Sequence, residues 1–217
     1  MFIKIKNQEV IAKKIAAVVS REINAGCSVL LLLPGGSAAM VAVKVLQLIK
    51  VGHTERLSIS LTDDRFGLPD HAQSNWPLIF DASSDLKNAH FLPVLRGLSM
   101  QQTANSWESE LCSRLNRADK TIALFGIGED GHIAGIKPNS VAVNEHSKLV
   151  VAYDASDFQR ITIAPAFFDV LDYAFVYAEG SNKQAIIEKL DLESSAVDMP
   201  AQKVKDCESF MVYYKSD

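Results

Sequence analysis

The residues best suited to chemistry are a histidine and an aspartate in a glycine-rich stretch, Gly126 to His132. His132 follows Asp130 by two residues, so a carboxylate can orient the imidazole ring while the ring takes a proton from a reacting group. Glycines at three of the first six positions let the backbone turn tightly and approach a ligand. The stretch therefore predicts a general base, His132, oriented by Asp130. The alternative is a surface histidine without a catalytic task.

The same stretch matches the spaced glycines of dinucleotide-binding proteins, and Asp154 lies near the position of a ribose-binding acid. That pattern requires a full helix after its last glycine, whereas Pro138 leaves room for little more than one turn. The charges of Glu129 and Asp130 would also repel a pyrophosphate. A metal is no better supported, because no second histidine or cysteine pair accompanies His132. We therefore predict that the protein uses neither a cofactor nor a metal.

An anion site is predicted between a buried strand and a helix, at Gly35, Gly36 and Ser37. Glycines let the backbone approach a ligand, and the amide groups at a helix N-terminus favour a negative charge. These residues are therefore predicted to bind phosphate. The alternative is a tight turn in which Ser37 caps the helix. The loop is not a P-loop, because the glycine-lysine-serine part of that signature is missing.

A third polar loop follows another strand and carries Asp63, Asp64 and Arg65, with Asn75 further along. An arginine at a strand end can hold a phosphate or carboxylate through paired hydrogen bonds. The adjacent carboxylates can orient that arginine or bind sugar hydroxyls. The alternative is a solvated loop in which Ser74 caps the next helix.

These loops alternate with apolar segments whose periodicity predicts helices and strands in turn. Predicted helices span Gln8 to Ala25, Ser37 to Lys50, Ser74 to Phe80, Leu98 to Arg117 and Ser181 to Leu190. Predicted strands span Ser28 to Leu33, Leu57 to Thr62, a segment around Phe91, Thr121 to Phe125, Leu149 to Tyr153, Tyr173 to Tyr177 and Met211 to Tyr214, and Asp63 to Gln73 is predicted as a loop. The alternation indicates an α/β fold: one domain over residues 1–217, with a mostly parallel, Rossmann-like sheet and helices on both faces. In such sheets ligands bind where the carboxyl ends of the strands meet, and all three polar loops fall there.

The overall composition favours a cytoplasmic protein with a small-molecule partner. The chain has 217 residues and a net charge of −4, which offers no basic surface to nucleic acid or anionic lipid. Its longest apolar run, Val29 to Leu33, is too short to cross a bilayer, and Met1 to Asn7 lacks the apolar core of a signal peptide. Three cysteines stand far apart without metal-binding spacing, as expected in a reducing compartment.

The three loops, in this order and at this spacing, resemble those of the 6-phosphogluconolactonases, within the wider superfamily of sugar-phosphate isomerases and deaminases. The family's serine-glycine-glycine-serine loop is similar to Pro34–Ser37, and its aspartate-glutamate-arginine motif is similar to Asp63–Arg65. Its glycine-x-glycine-x-aspartate-glycine-histidine motif is similar to Gly126–His132. Two later segments, around Arg160 and around Lys183, extend the resemblance toward the final strand.

The resemblance implies hydrolysis of 6-phospho-D-glucono-1,5-lactone to 6-phospho-D-gluconate, a step of the oxidative pentose phosphate pathway, without a metal. It implies that His132 activates water with Asp130 as its partner. It also implies a substrate site built from the remaining candidates: Gly35, Gly36, Ser37, Asp63, Asp64, Arg65, Asn75, Gly131, Arg160 and Lys183.

Three positions depart from the family's pattern. Asp64 stands where glutamate is usual, and Ala38–Ala39 replaces threonine-proline. Ile133–Lys137 replaces threonine-alanine-serine-leucine-phenylalanine; its first two residues resemble the glucosamine-6-phosphate deaminases, which place a catalytic glutamate at Lys137. Two alternatives therefore stay open. One is an amino-sugar-phosphate deaminase or isomerase, in which Asp63 or Asp64 moves the proton. The other is a sugar-phosphate sensor without catalysis.

Overall fold

Ten strands form two sheets in the computed structural model, which describes residues 1–215. The strands are β1 Phe2–Lys4, β2 Val29–Leu33, β3 Leu57–Leu61, β4 Asp63–Arg65, β5 His90–Leu92, β6 Lys120–Gly126, β7 Val150–Asp154, β8 Gln159–Ile163, β9 Tyr173–Glu179 and β10 Ser209–Lys215. Seven of them form a parallel sheet in the order β1-β10-β9-β6-β2-β3-β5. The other three form an antiparallel sheet in the order β4-β8-β7.

Five α-helices flank the large sheet within the described part of the chain: α1 Glu9–Asn24, α2 Ala39–Leu48, α3 Trp76–Ala82, α4 Met100–Leu115 and α5 Gln184–Asp191. Every residue of β2 and β3 is buried, as is the interior of β6. Because successive side chains of a strand point to opposite faces, burial of all of them means that both faces are covered. Within residues 1–215, no helix combines the length and apolar character needed to span a membrane.

Local sequence explains several helix boundaries. A capping box opens α4, since Ser99 and Gln102 satisfy free groups of its first turn reciprocally. Pro77 lies in the first turn of α3, where its missing N–H costs nothing. Beyond the end of α1, Gly26 has a φ of 96°, a conformation that only glycine adopts cheaply.

Trp107 fastens α4 to the edge of the large sheet. Its side chain is fully buried, and its indole Nε1–H donates to Ser60 Oγ at 3.0 Å. The Ser60 hydroxyl in turn donates to the Leu92 carbonyl at 2.9 Å, so neighbouring strands β3 and β5 share one polar contact with the helix. Burying an indole is favourable only when its N–H finds such a partner.

The small sheet continues directly from the carboxyl end of β3. Thr62 N donates to the Leu33 carbonyl at 2.9 Å, and Ile163 N donates to the Thr62 carbonyl at 3.0 Å. On its far side, the Glu108 carboxylate of α4 accepts the Leu149 amide at 2.6 Å. These contacts hold the small sheet over the edge where the parallel strands end.

The predicted fold class is confirmed: the large sheet is parallel and helices flank it. Two details were wrong. The predicted loop from Asp63 begins with strand β4, and the strand near Leu149 belongs to the antiparallel sheet rather than the parallel one. Strands β1 and β8 were not predicted. β1 and β4 have three residues each, too few for a periodicity to be seen, and β8 is defined mainly by its partners.

Candidate functional site

The strand order reverses between β2 and β6, because the chain leaves β2 toward β3 on one side and β6 lies on the other. Crevices of this kind, at the carboxyl ends of the strands, are the usual ligand sites of open α/β sheets. A cavity of about 300 Å³ opens here, bounded by the loops after β2 and β6 and by the small sheet. Nine of the twelve predicted site residues line it: Gly35, Gly36, Ser37, Asp63, Arg65, Asn75, His132, Arg160 and Lys183.

His132 and Asp130 form a hydrogen-bonded pair in the loop after β6. The ring Nδ1 lies 2.6 Å from Asp130 Oδ1, which also accepts the His132 backbone N–H at 3.1 Å. A carboxylate accepts hydrogen bonds, so Nδ1 carries the proton and the neutral ring keeps its lone pair on Nε2. The same bond lowers the pKa of the Asp130 carboxyl well below its ordinary range, and Lys137 adds to the effect. The pair is therefore arranged as a base with its orienting acid.

Gly128 makes room for this pair. A Cβ at that position would lie 2.0 Å from His132 Nδ1 and 2.4 Å from Asp130 Oδ1. Contacts that short are sterically forbidden, so a side chain at residue 128 would displace the ring, the carboxylate or both. The glycine is required by close approach, since its φ is not in the left-handed region.

The loop after β2 forms the opposite wall. Gly36 adopts a φ of 58°, and a short 3₁₀ helix, Gly36–Ala38, leads into α2. Amide groups at such a start have no partner within the helix and favour an anion. The Asn75 side chain packs over Gly35, where a Cβ would lie 2.0 Å from Asn75 Nδ2. The Asn75 amide side chain therefore lies directly against Gly35–Ser37, the predicted phosphate-binding segment, which we call the glycine cradle.

Arg65 and Arg160 lie side by side because they are paired residues of β4 and β8. The two guanidiniums are held over the ring of Phe158, with their Cζ atoms 4.6 Å and 5.7 Å from its centroid. Asp157 Oδ2 lies 2.7 Å from Arg160 Nη2, and Asp63 Oδ2 lies 3.6 Å from Arg160 Nη1. Burial raises the pKa of the Asp63 carboxyl, against the opposing effect of Arg160. Like charges on facing residues repel, and these aromatic and carboxylate contacts offset the repulsion.

Lys183 reaches the cavity from the loop after β9. Its Nζ lies 4.0 Å from Glu129 Oε1, and Asn182 donates a hydrogen bond to the same carboxylate. Only 15% of the Lys183 side chain is exposed. Segments that follow four parallel strands, β2, β3, β6 and β9, thus meet at one cavity. The segment after β3 is strand β4.

Asp64 and Gly131 do not line the cavity, so their contact with a ligand stays a prediction that this geometry does not support. Asp64 is fully buried, and its carboxylate accepts hydrogen bonds from Ser74 Oγ at 2.7 Å, Asn75 N at 3.1 Å and Arg65 N at 3.0 Å. It shapes the loop that presents Arg65 and Asn75. Gly131 serves the turn before His132: its φ is 84°, and a Cβ there would meet the side chain of Met199. Asp130 also stays outside the lining, behind His132.

Three cavity residues with charged or aromatic side chains were missed by the sequence analysis: Lys137, Asp157 and Phe158. Asp157 and Phe158 precede Arg160 closely, and their charge and aromatic ring next to a candidate arginine were the available signal. Lys137 was noted only as a departure from related sequences. Nothing in its spacing shows that it reaches back toward Asp130.

Neither a dinucleotide nor a metal finds its usual arrangement in the described residues. After Gly131 the chain forms turns stabilised by bridges between Ile127, Ile133 and Ile136 instead of the helix that a dinucleotide pattern requires. Across residues 1–215, no group of three or more histidine, cysteine, aspartate or glutamate side chains is placed to hold a metal ion.

Fold and site together define an α/β protein whose cavity, at the strand-order reversal, is lined by glycine loops, two arginines and a histidine paired with a carboxylate. A family model described as "Glucosamine-6-phosphate isomerases/6-phosphogluconolactonase" matches residues 6–212. The match covers nearly the whole chain, and the chain belongs to this family.

Individual relatives are distant but similar over most of their length. A 6-phosphogluconolactonase of Rhizobium meliloti (strain 1021) is 21% identical over 201 residues, which span 88% of this chain and 86% of the relative. One of Xylella fastidiosa (strain Temecula1) is 23% identical over 208 residues, which span 90% and 85%. The crystal structure of a 6-phosphogluconolactonase from Shewanella baltica superposes with a TM-score of 0.84 at 20% identity, covering 100% of this chain and 97% of that one. The structure from Thermotoga maritima gives 0.84 at 20% identity, covering 100% and 99%, so the fold is shared.

The burial of Asp64 generates a prediction about stability and pH. Burial is the largest effect on this carboxyl and raises its pKa from 3.8 to about 6, although three donors oppose the rise. A carboxyl with a raised pKa in the folded state contributes stability below pH 3.8, and this contribution is lost as the pH rises through about 6. Asp64→Asn keeps the shape without the charge. Between pH 4 and pH 7, the free energy of unfolding of the variant should therefore rise relative to that of wild type by up to about 3 kcal/mol. Urea unfolding at several pH values measures this; a difference independent of pH would show that the donors keep Asp64 ionised.

Gly128 generates a second prediction, about the geometry of the histidine pair. Gly128→Ala should break the bond between His132 Nδ1 and Asp130, because the added methyl group occupies the position of the ring nitrogen. In NMR spectra the strongly deshielded Nδ1 proton should disappear. Gly52→Ala is the matched control, since a Cβ there meets nothing within 4 Å. Persistence of the signal in Gly128→Ala would contradict the described packing.

Proposed function

We propose that the protein hydrolyses 6-phospho-D-glucono-1,5-lactone to 6-phospho-D-gluconate, a step of the oxidative pentose phosphate pathway. The observation that carries the proposal is the position of the His132–Asp130 pair, which faces the same cavity as a glycine cradle and an arginine pair. The family comprises lactonases and isomerases, and the relatives with the same fold are named as 6-phosphogluconolactonases. A phosphorylated lactone needs an anion site and a base, and the residues that line this cavity support both assignments.

The reaction follows from the tautomer of His132. Nε2 takes a proton from water as the water oxygen attacks the lactone carbonyl, and Asp130 stabilises the imidazolium that forms. The tetrahedral intermediate then expels the ring oxygen, which takes the proton back from Nε2. The carbon–oxygen ring bond breaks, and the open-chain acid results. A lactone is already reactive, so general-base catalysis of about 10²–10⁴-fold suffices without a covalent nucleophile or a metal.

Arg65 is the cation most available to the phosphate. Arg160 is 7% exposed and committed to Asp157 and Asp63, whereas no carboxylate pairs with Arg65 among the described residues. Lys183 faces Glu129 at the limit of an ion pair. We therefore place the phosphate between the amides of the glycine cradle and the Arg65 guanidinium, whose planar fork matches two phosphate oxygens.

The occupied carboxylates argue against a deaminase. That reaction needs a carboxylate free to move a proton between adjacent sugar carbons. Asp64 is buried with its oxygens engaged, Asp63 pairs with Arg160, and Lys137 stands where the deaminases carry a glutamate. A sensor without catalysis would keep the cavity and bind 6-phosphogluconate without turnover.

We further propose a cytoplasmic location, in keeping with three cysteines that form no disulfide. We also propose sugar phosphates as the sole ligand class, without nucleic-acid or membrane partners.

One experiment separates these functions. Purified, chelator-treated protein is assayed for lactone hydrolysis and, in parallel, for ammonia release from glucosamine 6-phosphate. We expect lactonase turnover that dialysis against a chelator leaves intact. Ammonia release would establish the deaminase instead, binding of 6-phosphogluconate without turnover would establish the sensor, and restoration by zinc or magnesium would contradict metal independence.

His132→Asn tests the base. The substitution keeps polarity and approximate size but removes proton transfer, so kcat should fall about 10²-fold or more while 6-phosphogluconate affinity stays within a few-fold. His53→Asn is the matched control, because His53 also pairs with a carboxylate, Glu55, but lies far from the cavity. Near-normal turnover of His132→Asn would place the base elsewhere.

Arg65→Ala tests the phosphate contact. Loss of a charge-assisted hydrogen bond worth roughly 1.5–3 kcal/mol should lower kcat/KM for the phosphorylated lactone about 10- to 150-fold. Unphosphorylated gluconolactone should be a poor substrate of wild type, and its hydrolysis should hardly change in the variant. Arg56→Ala, at the opposite end of the sheet, should affect neither substrate. Equal losses on both lactones would assign Arg65 a structural or catalytic task.

A further inference from the structure

Lys137 lies between two carboxylates that also contact other residues of the proposed site. Its Nζ is 3.4 Å from Asp130 Oδ2 and 3.4 Å from Asp157 Oδ2. The side chain is only 22% exposed and lines the cavity. Its backbone N–H donates to Tyr153 Oη at 3.2 Å, and that hydroxyl donates to the Gly135 carbonyl at 2.6 Å. The residue is therefore fixed at both its main chain and its charged end.

Both carboxylates contact Lys137 and one further residue. Asp130 Oδ1 accepts a hydrogen bond from the His132 ring, and its Oδ2 faces Lys137. Asp157 Oδ2 lies 2.7 Å from Arg160 Nη2 and 3.4 Å from Lys137 Nζ. One ammonium group thus joins the carboxylate beside His132, in the loop after β6, to the turn between β7 and β8.

We propose that Lys137 is a positioning residue for the hydrolysis, which holds the Asp130 carboxylate in its orientation toward the His132 ring. This inference rests on the proposed function. The ammonium group lies against the second oxygen of Asp130 and so opposes rotation of the carboxylate away from the ring.

The other charges near this pair do not replace Lys137. On the same loop, Glu129 is paired with Lys183 and Asn182. The charged residues of the small sheet and its turn that face the cavity are Asp63, Arg65, Asp157 and Arg160. Arg160 is matched by Asp63 and Asp157, and Asp157 is shared with Lys137. Within residues 1–215, removing Lys137 therefore leaves the His132 ring as the only ion-pair partner of Asp130.

The test compares Lys137→Met, Lys137→Arg and a control, Lys203→Met. Lys203 also bridges two carboxylates, Asp169 and Asp206, and is 17% exposed, but it lies outside the cavity. In Lys137→Met, kcat should fall about 10-fold with KM within a few-fold, because the ring loses its fixed orientation. Lys137→Arg should restore most of kcat, and Lys203→Met should change neither constant.

The deshielded Nδ1 proton of His132 provides a readout that needs neither substrate nor turnover. Its NMR signal should weaken or broaden in Lys137→Met, because the Asp130 carboxylate loses its second contact, and it should return in Lys137→Arg. An unchanged signal in Lys137→Met, or a loss of kcat that Lys137→Arg does not restore, would overturn the role of Lys137. If wild type shows no lactonase activity, the proposed function fails, whereas the NMR signal still decides whether Lys137 holds Asp130 against His132.

Discussion

The antiparallel pairing of β4 with β8 is the constraint on which the site depends. Its register sets Arg65 beside Arg160 and Asp63 beside Thr162. Strand β4, which carries Arg65 and Asp63, follows directly after β3 of the large sheet. Two guanidiniums would repel each other in isolation. Here the Phe158 ring and the carboxylates of Asp157 and Asp63 make the arrangement stable, so positive charge is concentrated at the cavity without being left uncompensated.

The large sheet supplies the second half of the site by topology. Reversal of the strand order between β2 and β6 brings together a glycine cradle and a histidine loop that are far apart in sequence. Close approach then refines the geometry: Gly35 lets Asn75 pack against the cradle, and Gly128 lets the His132 ring and the Asp130 carboxylate meet. The proposed function thus assigns anion binding and proton transfer to different loops of the same sheet.

Much of this was visible in the sequence, for physical reasons that can be named. Buried strands such as Val29–Leu33 predict a sheet covered on both faces, and glycines beside an anion-binding helix start or beside His132 mark loops. What could not be predicted depends on non-local pairing. The register that joins Arg65 to Arg160, the burial of Asp64 and the reach of Lys137 arise only when distant segments meet. Asp64, taken for a ligand contact because of its neighbours, is instead the internal acceptor that shapes their loop.

The division of the site between two sheets couples ligand occupancy to local opening. The small sheet docks on the large one through main-chain bonds at Thr62 and through Glu108 of α4. Under the proposed function, a phosphorylated ligand that touches both the loop after β2 and the arginines of the small sheet would add its binding free energy to that docking. Local opening at this junction would then require loss of the ligand. Occupancy and rigidity would thus be one equilibrium, in which the substrate acts as the last structural element of its own enclosure.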